Sequence, residues 1–235
     1  MKTLYIIPAI FLVLLSCREK ETPKVIYDAS KAKAAAPVSD TANIEIADLP
    51  IAISETDVVI HPIGSVRVNP GTRSYSSTGG SGISYTISNY NIFEISGYLS
   101  NLKFQKGASD SLTTLTEKHV LIETASYLKP LADRTKLRLM VYALSDADTN
   151  KDGKLDGNDI KSLYISTLEG QRFTKVTPEM EELIDWKLIE GQDRLYFRTV
   201  EDSNKNGEFD GKDIVHYSYV DLKAAEWKPT AYKPI

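Results

Sequence analysis

Short apolar runs dominate the chain from about Ile46 onward. They are rich in Val, Ile, Tyr and Thr, and Gly, Asn, Asp and Pro separate them. This pattern is typical of β-strands joined by turns. Apolar and polar residues alternate over 137–141 and again over 195–199, which predicts half-buried strands. Further strands are predicted at 85–87 and 92–98. We therefore expect a single, mainly β domain over residues 46–235.

Two other segments depart from this alternation. Residues 178–186 (PEMEELIDW) are the best helix candidate, because a proline and several acidic residues favour the first turn of a helix. Residues 74–82 (SYSSTGGSG) match no phosphate-binding pattern and are predicted to form a connector.

The first residues have the pattern of a targeting segment. Lys2 precedes an apolar stretch over residues 4–15, which ends at Ser16 and Cys17. This stretch is short for a membrane-spanning helix, which takes about 20 residues. A basic start, a short apolar middle and a small residue before the cleavage site are typical of a secretory signal peptide. Residues 1–16 are therefore predicted to be removed.

The end of this segment, Leu14-Leu15-Ser16-Cys17, resembles a bacterial lipobox. The resemblance implies that Cys17 carries lipid, including palmitate, and anchors the protein to a membrane without spanning it. The charged residues 18–21 resemble the surface-export tag of Bacteroidetes-type lipoproteins. A location in the bacterial envelope follows, at the outer membrane on its periplasmic or surface face. Residues 17–45 are predicted to be a lipidated cysteine followed by a flexible tether.

Two Asp-rich segments repeat at a spacing of 54 residues, at 148–160 and 202–214. Both fit D-x-[DN]-x-[DN]-G, followed by five residues and an acid, the pattern of an EF-hand calcium loop. Ca²⁺ takes six to eight oxygen ligands, which a tight loop supplies from alternate positions. We predict one Ca²⁺ in each loop, with these ligands: Asp148, Asn150, Asp152, Lys154 (through its carbonyl), Asp156 and Asp159 in the first; Asp202, Asn204, Asn206, Glu208 (through its carbonyl), Asp210 and Asp213 in the second.

The ligand set also predicts the order of affinity. The first loop carries four ligand carboxylates and the second carries three, so the first should bind Ca²⁺ more tightly. Mg²⁺ is less suited, because it prefers a small octahedral site and retains its waters. A single copy of such a segment could be an ordinary turn, since turns favour Asp, Asn and Gly. Two copies with the same spacing favour metal binding.

The closing Asp159 and Asp213 resemble the calcium loops of dockerins and of calcium-loaded propeller blades. Predicted strands flank both loops, so each loop is expected to cap a β-hairpin. The units at about 137–178 and 195–230 resemble blades of Tol-type β-propellers in Bacteroidetes-type lipoproteins. This resemblance implies antiparallel, blade-like repeats in a partial or small β-propeller. A β-sandwich is the alternative, because the chain has room for only about three such units.

Composition excludes several classes of function. With 28 basic and 32 acidic residues the formal net charge is −4, so no basic field favours nucleic acid. The single cysteine excludes a disulfide framework. No Ser/His/Asp or Cys/His arrangement is visible, and no catalytic residue is predicted. The acidic residues 179–182 and the histidines His61 and His216 are interpreted as structural or solvated.

The sequence predicts a non-enzymatic, calcium-binding, lipid-anchored envelope protein. Calcium would be structural, and the surface would bind an unknown protein or glycan. The alternative is a carbohydrate-binding or carbohydrate-processing accessory lipoprotein, which needs exposed aromatic residues from among Trp186, Trp227 and the 13 tyrosines. Hydrolysis would also need a carboxylate pair. A third hypothesis, a dockerin-like adaptor, requires a helix directly after each loop.

Overall fold

The computed structural model describes residues 23–27, 43–67 and 86–235. Within these ranges the chain forms strands and a single α-helix, α1 (Lys129–Thr135). The strands are β1 (Asn43–Ala47), β2 (Ile51–Ala52), β3 (Val58–Arg67), β4 (Ser88–Asn91), β5 (Glu94–Lys106), β6 (Thr113–Thr114), β7 (Leu121–Tyr127), β8 (Leu139–Ser145), β9 (Lys161–Thr167), β10 (Thr174–Lys175), β11 (Glu181–Ile189), β12 (Arg194–Glu201), β13 (Ile214–Asp221) and β14 (Thr230–Ala231).

These strands form two antiparallel sheets. The large sheet has the order β1-β3-β5-β7-β8-β9-β10, with β2 beside β3 and with β4 and β6 beside β5. The small sheet is the four-stranded meander β11-β12-β13-β14. The prediction of a mainly β, antiparallel fold is confirmed.

The sequence repeat is also a repeat of structure. A hairpin of β8 and β9 is extended by β10 as a third strand, and a hairpin of β12 and β13 is extended in the same way by β14. In both units the Asp-rich loop joins the first strand to the second. A four-stranded antiparallel meander is the arrangement of a propeller blade, so the class of fold matches the blade-like expectation.

The core between the sheets explains a departure from the sequence pattern. Val141 and Ile165 of the large sheet pack in one cluster with Leu195 and Phe197 of the small sheet. On the other side of β8, Tyr142 packs in a second cluster within the large sheet. β8 is therefore buried on both faces, and the prediction of a half-buried strand at 137–141 is wrong. Its continuous apolar run is the signature of a strand covered on both sides.

The predicted helix at 178–186 is wrong. Residues 181–189 instead form β11, which pairs antiparallel with β12 along its whole length, from Glu181 opposite Glu201 to Ile189 opposite Arg194. Met180 just before it has a positive φ of 62°, which ends any helical start. Tertiary pairing overrides the local helix signal of the proline and the acidic residues.

The helix that does form, α1, follows β7 and contains Pro130 in its first turn. It ends at Lys136, which adopts the left-handed conformation with φ 65°. No helix in the described part of the chain is long and apolar enough to cross a bilayer.

Several predicted segments fall outside the described residues. They are the signal peptide 1–16, Cys17, most of the tether and the connector 74–82. Of the strand predicted at 85–87, Tyr85 is also outside, and the described residues 86–87 do not form a strand but precede β4. The strand predicted at 92–98 is confirmed for 94–98, the first part of the longer β5, whereas Ile92 and Phe93 form the turn before it, with φ of 39° and 69°.

One carboxylate links α1 to the small sheet. Asp193, in the turn between β11 and β12, forms salt bridges with Arg134 of α1 and, at 2.5 Å, with Lys223 beyond β13. Arg134 also donates to the carbonyl of Glu190 in the same turn. Hydrogen bonds from Arg134 and then from Lys223 lower the pKa of Asp193 to about 2.

This lowered pKa predicts a loss of stability in acid. Because the folded protein holds Asp193 ionised down to about pH 2, its contribution is complete above the ordinary pKa of about 4 and is lost as the pH falls toward 2. We expect Asp193→Asn to lower the free energy of unfolding at neutral pH, with the difference from the native chain shrinking below about pH 4. Urea denaturation across pH 2–7 measures this. Glu117→Gln, at an exposed site, is the control, and a constant difference across this range would contradict the prediction.

Candidate metal-binding loops

Each Asp-rich loop caps a hairpin, as predicted. The first loop lies between Ser145 and Lys161, which are paired residues of β8 and β9. The second lies between Glu201 and Ile214, which are paired residues of β12 and β13. All twelve predicted ligands lie in these two loops. A strand follows each loop, so the helices that a dockerin-like adaptor requires are not present there.

The first loop is held by its first and last carboxylates. Asp148 accepts hydrogen bonds from the backbone N–H groups of Asp152 (3.1 Å) and Gly153 (2.9 Å). Asp159 reaches back across the loop and accepts one from Thr149 at 2.7 Å. The side chains between them close short turns with the N–H two residues on: Asn150 with Asp152 (3.0 Å), Asp152 with Lys154 (2.9 Å) and Asp156 with Asn158 (2.8 Å).

The second loop repeats this arrangement. Asp202 accepts from the N–H groups of Asn206 (3.1 Å) and Gly207 (2.7 Å), and Asp213 accepts from Ser203 at 3.1 Å. The same short turns recur: Asn204 with Asn206 (2.9 Å), Asn206 with Glu208 (2.8 Å) and Asp210 with Lys212 (2.8 Å). Lys154 and Glu208, predicted to ligate through their carbonyls, occupy equivalent positions in the two loops.

The backbones of the two loops also agree. Lys151 and Lys205 are left-handed, with φ of 53° and 57°. Gly153 and Gly207 follow two residues later, with φ of 86° and 85°. This matched pair of positive φ values turns the chain sharply at the same two positions in each loop.

The oxygen-rich loops fit a hard cation. Asp159 and Asp202 are 1% and 3% exposed, yet none of the seven loop aspartates forms a salt bridge with a Lys or Arg in the described residues. Their neighbour Asp146, by contrast, pairs with Lys175 at 2.9 Å. A buried carboxylate without a cation is costly. Oxygen ligands of this kind suit Ca²⁺.

The loop carboxylates are not drawn tightly together. In the described chain, one group of three His, Asp or Glu side chains has its ligand atoms all within 4.8 Å of one another, and it lies outside the loops. It consists of Glu181, Glu201 and His216. The acidic run 179–182 and His216 were interpreted from the sequence as solvated and structural, because only the register of the strands brings these residues together.

A second feature missed in the sequence is a strap, residues 23–27, which lies against both loops. Val25, 2% exposed, donates its N–H to the carbonyl of Gly207 at 3.2 Å. Ile26 donates to the carbonyl of Thr149 at 3.0 Å, so the strap bridges the two loops. The strap falls within the segment predicted as a tether, and its only sequence signal is the short apolar run at 25–27.

The outer side chains of the strap add contacts. Lys24 forms a salt bridge with Glu182 of β11 at 2.7 Å. Tyr27 is 40% exposed, and its partial burial, followed by the nearby carboxylate of Asp202, raises the pKa of this phenol to about 12. The strap therefore lies beside a predicted metal ligand as well as beside the loop backbone.

The small sheet presents four tyrosines on the face away from the core. Tyr196, Tyr217, Tyr219 and Tyr232 are all half-buried. Their ring centroids lie 5.3–6.2 Å apart in the neighbouring pairs. Arg194 lies over the ring of Tyr219, 4.2 Å from its centroid. We call this surface the tyrosine face. Trp227, in contrast, belongs to the core between the sheets.

Comparison of the chain with protein-family models, with curated proteins and with solved structures found no match.

The contact between strap and loop predicts the effect of Gly207→Ala. A Cβ at Gly207 would lie 2.3 Å from the carbonyl oxygen of Val25, in addition to the strain of φ +85°. Gly107→Ala is the matched control, because its φ is +57° and nothing lies within 4 Å of its Cβ position. Backbone strain alone costs about 1–2 kcal/mol, and we expect Gly207→Ala to cost more than that.

Two measurements check this expectation. Urea denaturation gives the stability of both variants, and limited trypsin digestion reports whether the strap is released, through faster cleavage after Lys24. Equal costs in the two variants, with unchanged cleavage at Lys24, would contradict the contact.

Proposed function

We propose that this protein is a calcium-binding, lipid-anchored protein of the bacterial envelope, in which two Ca²⁺ ions stabilise the loops of two hairpins. The observation that carries the proposal is that Asp159 and Asp202 are buried and have no Lys or Arg partner among the described residues, in two loops of the same hydrogen-bonded conformation. A divalent cation in each loop offsets the repulsion among its carboxylates.

The donor set favours Ca²⁺ over a softer ion. The loop ligands are carboxylate, amide and carbonyl oxygens, with no imidazole or thiolate among them. The loop backbone is already turned by its own hydrogen bonds, so binding requires the carboxylates to move inward and not a refolding of the loop. The first loop, with four carboxylates, is the tighter site.

The hairpin setting favours a structural role for calcium. Strand pairing continues to the last residues before and after each loop. Sensor EF-hands change the angle between two helices, and these loops have strands in their place. Sites of 10⁻⁴–10⁻³ M affinity, typical of extracellular modules, suffice for such a role.

The envelope location rests on residues 1–17. The apolar stretch and the lipobox-like Leu-Leu-Ser-Cys support lipid attachment at Cys17. In this setting the protein acts by binding a partner, a protein or a glycan, at the surface that the two sheets present.

Calcium should raise the melting temperature of the mature chain (residues 17–235, carrying Cys17→Ser). At an affinity of about 10⁻⁴ M, about 5 mM Ca²⁺ adds about 2 kcal/mol per site, which corresponds to a rise of about 5 °C for each. We expect a smaller rise with Mg²⁺, and none with EDTA. Thermal denaturation followed by circular dichroism measures all three.

The variants of choice are Asp148→Asn and Asp202→Asn, which remove charge but retain an oxygen for the loop hydrogen bonds. The double variant should lose the Ca²⁺-dependent rise, and Asp148→Asn alone should remove the tighter site. Asp110→Asn, at an exposed position outside the loops, should keep the rise. A native chain that melts at the same temperature in Ca²⁺ and EDTA would refute the proposal.

The tyrosine face favours carbohydrate binding as a second candidate function. Aromatic side chains offer large flat surfaces with a polar tip, and here four of them lie together on one face of a rigid sheet. Trp186 and Arg198 line a depression beside Tyr196 and Tyr232. Flat apolar rings with nearby hydrogen-bonding groups are a surface on which a sugar ring can stack.

A glycan array with the mature chain tests this candidate. Binding to at least one polysaccharide is expected, and Tyr219→Ala should weaken it by about tenfold, or ~1.4 kcal/mol. Tyr98→Ala removes a tyrosine that is 69% exposed on β5 of the large sheet and should leave binding unchanged. Failure to bind any glycan, or equal loss in both variants, would exclude this role for the tyrosine face.

A further inference from the structure

Three metal-ligating side chains meet at one end of the small sheet, outside both loops. Glu181 begins β11, Glu201 ends β12 and His216 lies near the start of β13. Their ligand atoms all lie within 4.8 Å of one another. We propose that these three residues form a binding site for one divalent transition-metal ion of the Zn²⁺ class.

The register of the strands makes this grouping costly without a cation. Glu181 and Glu201 are directly paired across β11 and β12. Like charges at directly opposed positions of an antiparallel pair are destabilising. In the described residues neither carboxylate has a Lys or Arg partner, and the salt-bridge contact of the pair is His216, 2.9 Å from Glu201.

Other carboxylates of the small sheet do have a cation. Glu182 pairs with Lys24 at 2.7 Å, and Asp185 pairs with Arg198. Lys or Arg thus neutralises Glu182 and Asp185, whereas the directly paired Glu181 and Glu201 have only His216 beside them among the described residues. A bound divalent cation would supply the missing positive charge.

The three residues lie on the inner side of the small sheet. On β12, Glu201 shares a face with Leu195 and Phe197, which belong to the core between the sheets. His216 is paired with Thr199 of the same row. Two carboxylates and an imidazole therefore take the place of apolar side chains where this inner face reaches the edge of the molecule.

The side chain of Thr199 already holds the carboxylate of Glu181 in position. The hydroxyl of Thr199 donates to Oε2 of Glu181, and Thr199 is itself 2% exposed. Hydrogen bonds that orient a ligating carboxylate are a regular part of metal sites. Half of the side chain of Glu201 and 40% of that of His216 are exposed, so an ion can enter from solvent and keep a water ligand.

The three side chains of this site favour a different ion from the one that the loops favour. An imidazole nitrogen with two carboxylates suits Zn²⁺ and its neighbours among the transition metals. Ca²⁺ prefers an all-oxygen set. This site is distinct from the calcium loops of the proposed function and does not depend on them. An ion here would tie three strands together at the end where the second loop begins.

Zinc titration by calorimetry tests the site. The mature chain with Cys17→Ser, which removes the one thiol, is titrated with Zn²⁺ in the presence of about 10 mM Ca²⁺, which occupies most of the loop sites at an affinity of 10⁻⁴–10⁻³ M. We expect one Zn²⁺ per chain. Glu181→Gln and His216→Ala should each weaken binding by more than about tenfold. His119→Ala, an exposed histidine elsewhere, should leave it unchanged.

Cobalt gives an independent signature. Co²⁺ bound by nitrogen and carboxylate ligands in four or five coordination should give visible absorption bands, which His216→Ala should abolish. The melting temperature of each variant in EDTA verifies that it is folded. Absence of zinc binding to the native chain, or binding that His216→Ala and Glu181→Gln leave unchanged, would overturn the proposal. Both outcomes are independent of whether Ca²⁺ raises the melting temperature.

Discussion

The hydrogen bonds accepted by the last aspartate of each loop are the interaction on which the rest of this structure depends. Asp159 and Asp213 each accept N–H groups from near the start of their loop and from three residues upstream. Each carboxylate thus ties the two ends of a loop together. This fixes the distance and register between the two strands that each loop joins, β8 with β9 and β12 with β13. Those strands supply most of the core between the two sheets.

Because both loops and the start of β11 lie near one another, several charged features share one end of the molecule. Glu182 contacts the strap through Lys24 and accepts the N–H of Lys161 just after the first loop. Its neighbour Glu181 belongs to the proposed transition-metal site. Cations bound in this region would act on one continuous set of contacts, in which loops, strap and sheet edge support one another.

The position of both loops between paired strands could be predicted from the sequence, because the residues that form each loop follow one another within about twelve positions. Calcium binding by these residues stays a prediction. A local pattern of Asp, Asn and Gly determines both the turn and the donor atoms. The strand β12 was predictable for the same reason, since its alternation of apolar and polar residues is local, whereas the alternation at 137–141 gave the wrong burial for β8. The segment 178–186 was not predictable, because its pairing with β12 outweighs the local preference of its proline and acidic residues for a helix.

Two further features depended on contacts between distant parts of the chain. Glu181 and His216 are 35 positions apart, and only the register of three strands brings them together. The burial of β8 on both faces likewise needs the small sheet to cover it. In the strap, the apolar run at Val25, Ile26 and Tyr27 was a signal, but the polar composition around it favoured the interpretation as a tether.

The strap changes how the domain relates to a lipid anchor. A tether that reached from residue 18 to 45 would have an end-to-end distance on the order of 30 Å. With Cys17 lipidated as proposed, the strap already docks the chain at residue 23, so six residue steps separate the lipid from the domain. Fully extended, these steps span about 20 Å. With such an anchor, docking of the strap would hold the two loops toward the membrane, whereas its release would allow the domain a longer reach. The contacts that order the strap would then set the position of the predicted calcium sites relative to the lipid surface.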